Sequence, residues 1–86
     1  MPTGQSGRAE ARPSPDPRAC AELGDLRHEL ARLQHEWRRL EAALDLALRS
    51  GNRERARQIW MEIREIKAQI QDVQHQIRRL LQFCQR

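Results

Sequence analysis

At 86 residues the chain is one domain at most, and a chain this short has little core unless a staple, a metal or a partner supplements it. Charged residues make up 33% and aromatics only 3%, a composition that fits long helices or a coiled coil and argues against a compact globule. The net charge of +4, carried by arginine at every basic position except Lys67, admits nucleic acid as a partner without requiring it.

Residues 1–15 contain Pro2, Pro13 and Pro15 among glycines and serines, with almost nothing apolar. Such a segment cannot bury enough surface to offset the entropy of ordering, so a disordered N-terminal tail is expected there, followed by one helical unit over 16–86. Its arginines precede no apolar stretch, so it does not read as a secretory leader. No later run is long and apolar enough for a membrane span. The expected setting is the cytoplasm, with Cys20 and Cys84 as reduced thiols.

Asp16-Pro17 has the chemistry of a helix start. A carboxylate accepts from the first free N–H groups, and proline suits the first helical position, where its missing N–H would have no partner anyway. Apolar residues then recur in steps of four and three. Leu23, Leu30, Trp37 and Leu44 take heptad position a, and Ala19, Leu26, Leu33, Leu40 and Ala47 take d. The pattern predicts a helix over about 17–49. It stops at Ser50-Gly51-Asn52, where glycine can end one helix in the left-handed region and asparagine can cap the next. A second helix is predicted over about 53–84, with Ala56, Ile63, Ile70, Ile77 and Cys84 at a and Ile59, Ile66, Val73 and Leu80 at d. The β-branched residues do not make it a strand, because the period is 3.5 and not 2.

A turn this short makes the two helices antiparallel neighbours. Setting Ala47 opposite Ala56 then pairs every a residue with a d residue outward to Ala19 and Cys84, with no polar interruption. Turn, caps and seam agree on an all-α, antiparallel two-helix coiled-coil hairpin. The same register brings Cys20 and Cys84 close enough for mild oxidation to join them. The stretch Leu48–Ala56 resembles the inter-helix turn of a tetratricopeptide repeat. These helices are twice as long and nothing repeats, so the resemblance implies shared turn chemistry only.

Function must be read from the flanks. In an antiparallel pair the e positions of both helices line one edge and the g positions the other. The e edge is the more apolar, with Leu48 and Trp60 near the turn and Cys20 and Leu81 near the termini; Leu46 and Met61 sit further round. Exposed apolar groups on so small a protein predict a docking edge, and pairing of two hairpins into a four-helix bundle is the leading expectation. A basic tip of Arg49, Arg53, Arg55 and Arg57 offers contacts to an acidic protein surface or to phosphate. His28, His35 and His75 all fall at outward f positions. His28 and His35 stand about 10.5 Å apart along the axis, too far to share a metal. No nucleophile–base arrangement, glycine-rich loop or carboxylate pair points to catalysis, cofactor or small-molecule substrate. The expected function is a non-catalytic helical interaction module, an adaptor, regulator or subunit acting as a homodimer or on another helical protein. The alternative is a small RNA- or DNA-binding regulator that uses an arginine-rich face or tip.

Overall fold

The computed structural model describes residues 16–84, so the tail expected at 1–15 and the last two residues lie outside the described part. Two helices, α1 (Pro17–Arg49) and α2 (Arg53–Cys84), run back along each other as a hairpin about 50 Å long.

Helix α1 begins as its first residues dictate. Asp16 is extended, its Oδ1 accepts from the Arg18 N–H at 3.0 Å, and Pro17 is the first helical residue. The helix ends in a Schellman arrangement. Gly51 has φ +75°, its N–H donates to the Leu48 carbonyl at 3.1 Å, and the Asn52 N–H donates to the Ala47 carbonyl at 2.9 Å. Those bonds satisfy carbonyls that the helix terminus would otherwise leave free. The Ser50 hydroxyl adds a bond to the Ala47 carbonyl at 3.1 Å. Asn52 then serves the other helix as well: its Oδ1 accepts from the Arg55 N–H at 3.1 Å, capping α2. One residue thus closes α1 with its backbone and opens α2 with its side chain.

The seam follows the heptads. Leu40, Ala47, Ala56, Ile59 and Ile63 form one buried cluster at the turn end, with Leu44 packed against it. Leu33, Ile70 and Val73 form a second, with Leu26, Leu30 and Ile77 beside it. Trp37 and Ile66 belong to both and join them. These groupings are the pairs expected from setting Ala47 opposite Ala56. Leu33 and Ile59 are 1% and 0% exposed, so each contributes about 2 kcal/mol through apolar burial. Leu30, Trp37 and Leu44 remain only half-buried, because one partner helix cannot cover a stripe this wide.

Trp37 has a separate shortfall, in the pairing of its polar atom. The indole Nε1 is buried without an acceptor, while the Lys67 ammonium stands 5.5 Å from the ring centroid. The cation–π attraction at such a site is about 0.5–1 kcal/mol, less than the 1–3 kcal/mol typical for an orphaned donor.

The open end carries a correction. Cys20 and Cys84 are joined as a disulfide, with α-carbons 5.0 Å apart, and are not the free thiols expected of a reducing setting. The register explains why they meet: Ala19 and Cys84 share the last layer of the seam, and Cys20 is the next residue at its rim. A second tie lies alongside, since the Asp16 N–H donates to the Phe83 carbonyl at 2.9 Å and so links the start of α1 to the end of α2. In reducing surroundings this hydrogen bond and the Ala19 and Leu23 layers would hold the open end by themselves.

Candidate docking surface

Helix α2 presents Trp60 and Met61 on the flank it shares with the last turns of α1, and Leu48 completes the patch from the opposite side of the seam. The three are 52%, 62% and 59% exposed. They line a shallow, open groove of about 420 Å³ whose rim is formed by Arg53, Arg57 and Arg64, with Ala56 on its floor. The local sequence accounts for this. Arg57, Trp60, Met61 and Arg64 stand at i, i+3, i+4 and i+7, one stripe of α2, turned away from the residues that meet the seam. The lining is almost wholly apolar between charged rims, a combination suited to holding an amphipathic element by burial with ionic fixing at its borders.

The residues expected to act together are only partly brought together. Leu48 and Trp60 meet in the groove, and Met61, expected further round, joins them. Leu81 is half-buried near the open end, about 31 Å along α2 from Trp60, and the Cys20 sulfur is committed to the bridge. The basic tip divides as well. Arg53 and Arg57 turn to the groove, Arg49 pairs with Asp45 at 2.9 Å, and Arg55 falls at a g position on the other flank. Arg64 was not among the expected contacts. Its signal was its place seven residues after Arg57, on the same stripe.

Charge is distributed unevenly between the flanks. On the g side and its outer neighbours, Glu29 and Glu36 hold Arg32 and Arg39 at 2.6 and 2.9 Å. The Arg32 hydrogen bond keeps the Glu29 carboxyl below its ordinary range, and the same pairing raises Arg32. Among the described residues Arg53, Arg57 and Arg64 make no ion pair. The groove therefore offers guanidinium groups with their donors still available.

Other concave regions are less coherent. Glu22, Gln76, Arg79, Leu80 and Phe83 line a small cleft near the open end, mixed in polarity. Asp25, His28, Glu29 and His35 share the outer face of α1. Among the described residues no group of three His, Cys, Asp or Glu side chains is placed to hold a metal ion, and no helix is long and apolar enough to cross a membrane. The arrangement defines a two-helix hairpin with one apolar, arginine-rimmed flank. No family model matches the chain, and no curated protein or solved structure matches it either.

Proposed function

We propose that this protein is a non-catalytic interaction module that works by laying a helix along the e edge at its turn end. The observation that carries the reading is the gathering of Leu48, Trp60 and Met61, all more than half exposed, on a hairpin closed at both ends. Isolated exposed side chains need no explanation, whereas a continuous apolar groove on so small a protein leaves surface to be covered. Self-pairing into a four-helix bundle and docking of a different helical protein are the two forms this takes. The roles of adaptor, regulator or subunit all rest on it.

The test uses the Trp37→Phe variant, in which Trp60 is the only indole. Self-pairing gives a doubled mass in sedimentation and a blue shift of Trp60 emission that grows with concentration, and adding Trp60→Glu to wild type abolishes the doubling. A chain that stays monomeric, with Trp60 water-exposed in the presence of every amphipathic helix tried, removes the reading.

A second reading is supported by Arg53, Arg57 and Arg64, whose freedom from carboxylate partners suits phosphate: a small nucleic-acid-binding regulator. Retention on RNA that falls steeply as salt is raised would favour it. Weak, salt-insensitive retention would dismiss it.

A further inference from the structure

We infer that the occupant of the turn-end groove is an acidic amphipathic helix from a different protein, with carboxylates spaced to meet Arg57 and Arg64. This rests on the reading of the hairpin as a docking module and names the partner's chemistry.

Shape and spacing come first. The groove runs along α2, and Arg57 and Arg64 stand two turns apart, about 10.5 Å along the axis, with Trp60 and Met61 between them. A partner helix has the same rise. One that carries carboxylates seven residues apart, with apolar side chains between, matches both the charges and the apolar floor in a single register. The forked guanidinium suits this role, since it can grip a carboxylate through two parallel N–H···O bonds. Arg53 lies one turn before Arg57 and extends the rim.

A second copy fits poorly. A two-fold interface uses the same surface on both chains. With the two-fold axis across the rods, α2 lies antiparallel on α2 of the other copy, and Arg57 and Arg64 face the same arginines or Arg78; with the axis along the rods, α2 lies over the other copy's α1 at the same height, where Arg38 shares the flank with Glu41 and Asp45. Glu41 and Asp45 are the acidic residues on that flank, and they stand four residues apart, not seven, so they do not match the spacing of Arg57 and Arg64. Like charges brought together in the first arrangement oppose docking. Phosphate in a nucleic acid would answer the arginines, but its backbone carries no apolar ridge to fill the space between Leu48 and Trp60; an anionic bilayer offers both phosphate and acyl chains, and the vesicle arm of the test separates it from a helix.

The experiment titrates the full chain carrying Trp37→Phe with three synthetic helical peptides that share one leucine stripe and differ only at the flanking positions: glutamate, glutamine or lysine. The acidic peptide is expected to shift Trp60 emission to the blue and to bind at least about tenfold more tightly than the neutral one, an advantage that shrinks with added salt. Arg57→Glu together with Arg64→Glu should reverse the order, so that the lysine peptide binds best. Calorimetry on the wild-type chain gives the same ranking without reliance on the indole variant.

If neutral and acidic peptides bind equally, the acidic partner is wrong and the docking module stands. The same holds if the chain is already a dimer with Trp60 buried and no peptide displaces the partner copy. If no peptide binds and the chain is monomeric, both fall. A Trp60 response to phosphatidylserine vesicles or duplex RNA, with none to the acidic peptide, overturns the inference in favour of a phosphate surface.

Discussion

At the turn, the peptide groups from Ala47 to Ala56 satisfy one another within ten residues of sequence; at the other end, Asp16 and Phe83, and Cys20 and Cys84, are tied across more than sixty residues. The first closure is local. It costs little chain entropy and is dictated by glycine and asparagine at two adjacent positions. The second is distant and costs more chain entropy, and the last layer of the seam there is only the small Ala19 against Cys84. A covalent bond adds to the packing at that end. In a two-helix protein, the end opposite the turn is where stability is weakest and where a single chemical change has most leverage.

Breaking the distant closure should produce the largest effect. Replacing Cys20 and Cys84 by serine releases a loop with a sequence separation of 64, which the chain-entropy account values at about 4 kcal/mol. The melting temperature followed by circular dichroism should fall by roughly 20 °C. Amide exchange should then separate the two ends. The Asp16 N–H, which donates to Phe83, becomes fast, while the Asn52 and Ala56 N–H groups stay slow until the whole hairpin opens. A double variant that melts with wild type would show that the bridge is dispensable.

The local closure is tested by a pair of glycines. An added Cβ meets nothing within 4 Å at either Gly24 or Gly51, so contact does not distinguish them; backbone does. Gly51 sits at φ +75°, where an L side chain is strained, and Gly51→Ala should cost about 1–2 kcal/mol. Gly24 is in the interior of α1, and Gly24→Ala should add up to about 1 kcal/mol. Urea midpoints shifted in opposite directions would confirm the contrast. Shifts of the same sign would mean that the left-handed turn residue is not what ends α1.

The smallest effect belongs to the charges along the rod. Glu29 has its carboxyl lowered chiefly by the hydrogen bond from Arg32. A lowered carboxylate stabilises above its ordinary value and loses that contribution as pH falls through the folded value. The pair lies at the solvent surface and is screened, so Glu29→Gln should melt with wild type at neutral pH, and any difference should shrink further in acid. A clear loss at neutral pH would mean that the rod, and not only its ends, depends on ion pairs.

Much of this architecture could be read directly. Nine layers from Ala47 and Ala56 out to Ala19 and Cys84 kept phase through a turn whose residues suited no other role, and that coincidence carried helices, direction and register together. The redox state of Cys20 and Cys84 was not readable in the same way. Their proximity follows from the register, whereas whether they bond depends on surroundings that the heptads do not record. The groove was half visible. Position labels placed Leu48 and Trp60 on one edge, but Met61 and Arg64 enter because they stand beside Trp60 on one stripe of α2 that runs outward from that edge. The unpaired Trp37 Nε1 had no signal at all, since at an a position only the apolar body of the ring counts toward the pattern.

The bridge also determines how the molecule responds to force. A pull applied to the chain before Cys20 and after Cys84 is carried from one backbone to the other through the sulfur–sulfur bond, across 5.0 Å between α-carbons. No tension enters the two helices beyond it. While oxidised, the hairpin is a slack loop that cannot be unzipped from its ends, however hard they are drawn apart. Once reduced, the same load falls first on the Asp16–Phe83 hydrogen bond and then peels the seam one layer at a time toward Gly51.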